Sequence, residues 1–264
     1  MGILAAFLVI AIMGLVLGFG LAFADKKFAV EKDEKLIQME KSMPGANCGG
    51  CGFAGCSAYA EAVCKGEAEI GLCSPGGAAL AQKMGEIMGV AVDATQERKV
   101  AFVHCRGNAD VTVQQFIYDG IDDCNAAAIA QGGPNACKEG CLHLGSCMKV
   151  CPVGAISRDE KMMIHVDPDK CIACGKCTTV CPTMVMKLIP ASATHVVACN
   201  NHEMGAKVKK SCQVGCIGCK ICQVKVPDSG CKVENFLSTI DYAADTSGLE
   251  EAAKLCPQKC FEKR

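Results

Sequence analysis

Two runs decide how this chain is read: Cys137-Lys-Glu-Gly-Cys141-Leu-His-Leu-Gly-Ser-Cys147-Met-Lys-Val-Cys151-Pro152 and, eighteen residues later, Cys171-Ile-Ala-Cys174-Gly-Lys-Cys177-Thr-Thr-Val-Cys181-Pro182. The second run has the form C-x2-C-x2-C-x3-C-P. Three thiolates two residues apart, on a loop too tight to be helical, reach three corners of one small cube, as a [4Fe–4S] cluster requires. The fourth thiolate, followed by proline, leaves the loop and points toward a neighbouring cluster. The runs therefore predict two clusters with exchanged ligands. One set is Cys171, Cys174, Cys177 and Cys151; the other is Cys137, Cys141, Cys147 and Cys181. The first run has x3 and x5 where x2 and x2 are usual, and a longer loop still closes on a cube. Paired four-cysteine zinc sites are the competing reading. They present separated C-x2-C pairs rather than three ligands in seven residues with a C-P exit.

Composition agrees with metal thiolates. The 264 residues include 23 cysteines, no tryptophan, three tyrosines and nine phenylalanines. So few aromatics imply small domains held partly by inorganic centres. Reduced cysteines imply the cytosolic side of a membrane. A net charge of −1 gives no electrostatic footprint for nucleic acid.

The first 24 residues carry no charged side chain, and 3–23 form an apolar run of 21 residues, about 30 Å as a helix. Ala22-Phe23-Ala24 resembles a signal-peptide cleavage site, but no basic segment precedes the run. Lys26 and Lys27 follow it, so an uncleaved anchor over 1–24 is expected, with everything beyond on the cytoplasmic side. Gly14-x3-Gly18 is compatible with close helix packing. Residues 25–42 read as a juxtamembrane helix.

Residues 43–100 read as a first [4Fe–4S] domain, with ligands Cys48, Cys51, Cys56 and Cys73. Gly49, Gly50, Gly52 and Gly55 let the backbone approach a cube and direct N–H groups at its sulfurs. Cys64 reads as a buried thiol, and 76–92 as an amphipathic helix. Residues 101–135 read as a connector, in which Cys105 and Cys124 are expected to be structural thiols.

Residues 136–190 hold the double run, 191–211 a linker, and 212–264 a degenerate repeat. In Cys212-x3-Cys216-x2-Cys219-x2-Cys222-x3-Val226-Pro227, valine stands in the exit position. The second triplet is replaced by Asp245-Thr-Ser-Gly-Leu-Glu-Glu, and an exit returns as Cys256-Pro257. One complete set remains, Cys216, Cys219, Cys222 and Cys256, for four clusters in all. Cys199 and Cys212 are candidate alternative ligands, with structural thiols expected; Cys231 and Cys260 are left over. Short strands at 155–156, 185–189 and 232–233, with hairpin partners at 162–166 and 238–242, make the fold class α+β: two ferredoxin-like units behind an N-terminal helix and a small cluster domain. No phosphate loop, dinucleotide fingerprint or nucleophile motif is present, and the five histidines show no paired metal spacing.

With the glycine-rich motif at Cys48–Cys73, the double run at Cys137–Cys181 and the N-terminal apolar run together, the chain resembles the B subunits of Rnf complexes over essentially its full length. The first motif alone is also similar to the iron–sulfur domain of the corrinoid protein of acetyl-CoA synthesis. The Rnf resemblance implies a component of a membrane-bound, ion-translocating ferredoxin:NAD⁺ oxidoreductase. This component would accept electrons from reduced ferredoxin and pass them to other Rnf subunits, which hold the NAD and flavin sites. The alternative is an anchored polyferredoxin serving a cytosolic reductase without ion pumping. Lys138, Lys149, Arg158, Lys170 and Lys176, in or beside the ligand loops, are candidates for docking an acidic ferredoxin.

Overall fold

The computed structural model describes residues 2–28, 33–92 and 97–264, with side chains omitted at 2–6 and 25–28. Met1, Val30 of the expected juxtamembrane helix, and 93–96 of the first cluster domain lie outside the described residues. Helix α1 (Gly2–Phe28) is apolar on every side, and Phe7–Ala24 has a mean hydropathy of 2.6 with nothing packed over it. By length and composition it is able to cross a membrane.

A small helical domain follows. Helix α2 (Glu34–Ser42) starts where Asp33 accepts the Lys35 N–H at 3.1 Å and packs on α3 (Cys56–Cys64) and α4 (Gly77–Met88). The Glu34–Ser42 part of the expected juxtamembrane helix belongs to this domain's core: Met39, Tyr59 and Met84 are fully buried together, with Leu36 and Met43 against them. Helix α4 ends at Gly89, whose left-handed backbone (φ 71°) lets Val90 N–H close on the Gly85 carbonyl at 2.9 Å.

The remainder uses one plan twice. The first unit comprises β1 (Lys99–Val103), α5 (Cys124–Ile129), α6 (Ser146–Lys149), β2 (Ile156–Arg158), β3 (Ile164–Val166), α7 (Lys176–Val180) and β4 (Met186–Pro190). The second comprises β5 (His195–Val197), α8 (Gly205–Ser211), α9 (Ile221–Lys225), a 3-10 turn (Pro227–Ser229), β6 (Cys231–Glu234), β7 (Leu237–Ile240), α10 (Leu249–Leu255) and β8 (Phe261–Lys263). In each, the first strand pairs antiparallel with the last, β1 with β4 and β5 with β8. The middle two form a hairpin, β2–β3 and β6–β7. In the second hairpin Asn235 and Phe236 both take positive φ (47° and 63°) between paired Glu234 and Leu237, as a two-residue turn needs.

Two expected boundaries move. The stretch read as a connector, 101–135, begins inside β1, which completes the first unit by pairing Val100 with Ile189 and Ala101 with Leu188. The stretch read as a linker, 191–211, holds β5 and α8 of the second unit. Both are opening strands whose partners lie far along the chain, so local alternation could not reveal them. Helix α5 starts at Cys124, because the Asp123 carboxylate accepts the Asn125 and Ala126 N–H groups there.

The units share a seam. Val100 and Ile189 of the first pack with Ala193 and Val196 of the second. His104 Nδ1 donates to the Val197 carbonyl at 2.9 Å, Val113 N–H to the Ser211 carbonyl at 3.0 Å, and Gln213 N–H to the Val111 carbonyl at 2.9 Å.

Candidate metal centres

The thiols gather in groups along this scaffold. In the N-terminal domain Asn47 and Gly49 hold left-handed backbone, and Asn47 Oδ1 accepts the Cys56 N–H at 2.9 Å. This turns the loop so that Cys48, Cys51 and Cys56 share a neighbourhood with Cys73. Burial raises the Cys73 thiol, and the other three act in the same direction. The loop lies against the next group: a Cβ added at Gly50 would sit 2.8 Å from the Cys174 carbonyl oxygen.

A cavity of about 340 Å³ is lined by Cys151, Cys171, Cys174 and Cys177. Ala155 N–H donates to Cys151 Sγ at 3.3 Å and Ala101 N–H to Cys171 Sγ at 3.4 Å. Burial pushes Cys177 up to about 12, with Cys171 and Cys174 adding to it.

The other thiols of the double run gather differently from the sequence expectation. Cys124 stands near Cys141 and Cys147, and Cys181 near Cys147. After burial, the largest influences raising Cys147 to about 11 are Cys124 and Cys181. The Cys124 N–H donates to Ser146 Oγ at 2.7 Å, fixing the start of α5 beside this loop. Cys137 instead lines a cavity of about 300 Å³ with Cys105, Cys199 and Cys212. None of these three partners is local to it, which is why spacing did not reveal them.

In the second unit a cavity of about 340 Å³ is lined by Cys216, Cys219, Cys222 and Cys256, with Cys260 behind them. Cys260 Sγ lies 3.4 Å from Cys256 Sγ. The neighbouring Cys260 thiol lowers Cys256 and Cys216, and the Cys231 thiol lowers Cys222. The leftover cysteines Cys231 and Cys260 are buried in the same core as Cys216 and Cys222. Cys219 is exposed.

The donor chemistry suits clusters. A zinc site brings its thiolates to about 2.3 Å from one point. Among the described residues no group of three or more His, Cys, Asp or Glu side chains converges in that way. Thiols spread around cavities, with N–H groups aimed at sulfur, are what a cube with ligands on its corners requires.

Of the basic residues considered for docking, four are engaged. Lys138 Nζ donates to the Gly133 carbonyl at 2.8 Å, Lys149 Nζ to the Asp122 carbonyl, and Arg158 to the His143 carbonyl at 3.1 Å, while Lys170 pairs with Asp167 at 3.4 Å. Lys176 opens α7 and lines the Cys151 cavity.

Two parts of the chain match known domain families: residues 43–75 the one described as "Putative Fe-S cluster", and residues 136–185 the 4Fe-4S dicluster domain. The B subunit of the Na⁺-translocating ferredoxin:NAD⁺ oxidoreductase complex of Acetobacterium woodii is 39% identical over 253 residues, 96% of this chain and 75% of that one. The B subunit of the proton-translocating ferredoxin:NAD⁺ oxidoreductase complex of Clostridium ljungdahlii is 40% identical over 253 residues, 96% of this chain and 88% of that one. The B subunit of the ion-translocating oxidoreductase complex of Methanosarcina acetivorans is 35% identical over 256 residues, 97% of this chain and 96% of that one. The chain belongs to the family of Rnf complex B subunits. As a member of that family it is an iron–sulfur electron-transfer component of a multi-subunit redox complex. Its dicluster match takes in Cys137 to Cys181 but leaves out Cys105, Cys124, Cys199 and Cys212.

Proposed function

We propose that this Rnf component is held at the cytoplasmic membrane by α1, accepts electrons from reduced ferredoxin on the cytoplasmic side, and relays them to partner Rnf subunits that carry the NAD and flavin sites. The observation that carries this reading is the continuity of the thiol groups from the exposed Cys219 to the domain that follows α1. Cys216 N–H donates to Cys199 Sγ at 3.2 Å, and Cys141 N–H to Cys105 Sγ at 3.3 Å. Cys147 and Cys177 share one core, and Gly50 abuts Cys174. Each [4Fe–4S] cluster supplies a one-electron carrier when bound.

The chain's own residues do the rest. The groups Cys48/Cys51/Cys56/Cys73, Cys151/Cys171/Cys174/Cys177 and Cys216/Cys219/Cys222/Cys256 each hold a cluster, and Cys141, Cys147 and Cys181 with Cys124 hold a fourth. The Ala155 and Ala101 N–H groups, donating to Cys151 and Cys171 Sγ, would favour the reduced, more negative state of a bound cluster. Apolar cores pack against the buried thiols of each group. The absence of a dinucleotide or phosphate loop supports placing NAD on a partner. Because four of the five basic residues first considered are engaged, Lys220 and Lys225, exposed on either side of Cys222, are better placed to meet an acidic ferredoxin at the Cys219 end.

Stopped-flow reduction of the anaerobic full-length chain by reduced ferredoxin tests this. A second-order rate that falls with salt, and falls further in Lys220→Glu/Lys225→Glu, is the expected result. A chain that dithionite reduces but ferredoxin does not would overturn the assignment. Co-purification with polytopic membrane subunits distinguishes it from an anchored polyferredoxin that pumps no ion.

A further inference from the structure

We propose that Cys105, Cys137, Cys199 and Cys212 ligate a fifth [4Fe–4S] cluster on the seam between the two ferredoxin-like units. The strongest ground is the internal repeat. Cys105 stands two residues after the end of β1, and Cys199 two residues after the end of β5. Cys137-Lys-Glu-Gly140-Cys141 matches Cys212-Gln-Val-Gly215-Cys216. The four thiols are therefore two pairs of equivalent residues, one of each pair from each unit, brought face to face. The hydrogen bonds repeat with them: Cys141 N–H donates to Cys105 Sγ at 3.3 Å, and its counterpart Cys216 N–H donates to Cys199 Sγ at 3.2 Å. A third sulfur, Cys137 Sγ, accepts from the buried Asn201 Nδ2 at 3.1 Å. Stray structural thiols have no reason to be paired, buried and hydrogen-bonded in this symmetrical way.

The cavity fits the same occupant as its neighbours. Four thiols line it, as four line the Cys151 cavity. The backbone passes close to the sulfurs at Gly140, where a Cβ would lie 3.3 Å from Cys137 Sγ and 3.6 Å from Cys105 Sγ. All four thiols are free. On ligation each thiol gives its proton to solvent and binds one iron of the cube.

The proposal also accounts for Cys124. Aligning the units places Cys141, Leu144 and Cys147 over Cys216, Cys219 and Cys222. Leucine occupies the middle ligand position, and Cys124 at the head of α5 fills the gap. Cys137 is then released to the seam. Placed between Cys141 and Cys216, the seam cluster joins the two units' clusters into one line.

The proposal rests on the iron–sulfur reading above, and the test separates the two. Anaerobically purified full-length chain, reconstituted with ferrous iron and sulfide, is expected to hold about 20 iron atoms, four per cluster. Cys199→Ala, Cys212→Ala and the double variant should each hold about 16, because all three remove the same cluster. Cys124→Ala combined with Cys137→Ala should hold about 12, and Cys64→Ala about 20. A wild-type count of about 16 that Cys199→Ala and Cys212→Ala leave unchanged overturns the seam cluster alone. A wild-type chain with no iron overturns the proposed function as well. If the variants fail to fold, the wild-type count still decides, with a matching spin count in the dithionite-reduced EPR spectrum.

Discussion

Replacing Gly50 by alanine tests whether the first cluster domain and the Cys171–Cys177 loop are held in contact. The added Cβ would lie 2.8 Å from the Cys174 carbonyl oxygen and 3.5 Å from its carbon, where ordinary contact begins at 3.4 Å. The loops must therefore part by about 0.6 Å, because a backbone carbonyl cannot swing aside as a side chain can. Gly50 is not among the residues with positive φ, so alanine adds a clash without backbone strain. Overpacking of this kind costs about 1–3 kcal/mol. Charged against the docked arrangement, that is a factor of about 5–150 in the opening equilibrium. Amide hydrogen exchange reads it directly: in Gly50→Ala the amides around Cys174 should exchange faster by up to that factor. Electron arrival at the Cys48 group, followed by freeze-quench EPR, should slow in parallel. Gly52→Ala is the control, since Gly52 has positive φ (88°) and open space around its Cβ position. It should loosen its own loop and leave the Cys174 amides unchanged. Unaltered exchange at Cys174 in Gly50→Ala would refute the close docking of the two domains.

Two further outcomes are expected. Removing residues 1–24 should give a soluble brown protein with its full iron content, because every thiol group lies beyond residue 47; iron analysis after ultracentrifugation checks this, and iron loss would mean that α1 supports a cluster domain. Ser238→Ala should keep the iron count but lower the potential of the Cys216 group in an EPR-monitored redox titration, since Ser238 Oγ lies 3.3 Å from Cys222 Sγ and its O–H favours the anionic sulfur; an unchanged potential would mean that the bond is absent in the cluster-bound protein.

How much of this was legible beforehand depends on how far apart the cooperating residues lie. Sequence alone determined the apolar helix and the iron–sulfur character, and it set Cys171, Cys174 and Cys177, and Cys216, Cys219 and Cys222, around one cavity each, because thiols two residues apart share their own loop. The hairpin partners Ile156–Arg158 with Ile164–Val166, and Cys231–Glu234 with Leu237–Ile240, were legible for the same reason. The broken repeat was visible too, in the loss of a triplet together with the exit position now held by Val226. The long pairings were decided only by the tertiary structure. Strand β1 finds β4 some ninety residues on, and β5 finds β8 across the whole second unit, leaving Cys105 and Cys199 at the seam. Cys137 therefore faces Cys105, Cys199 and Cys212 instead of the nearer Cys147. Spacing counts residues along the chain, whereas a metal centre responds to distance through space. The two agree within a loop and part where antiparallel strands bring remote ends together.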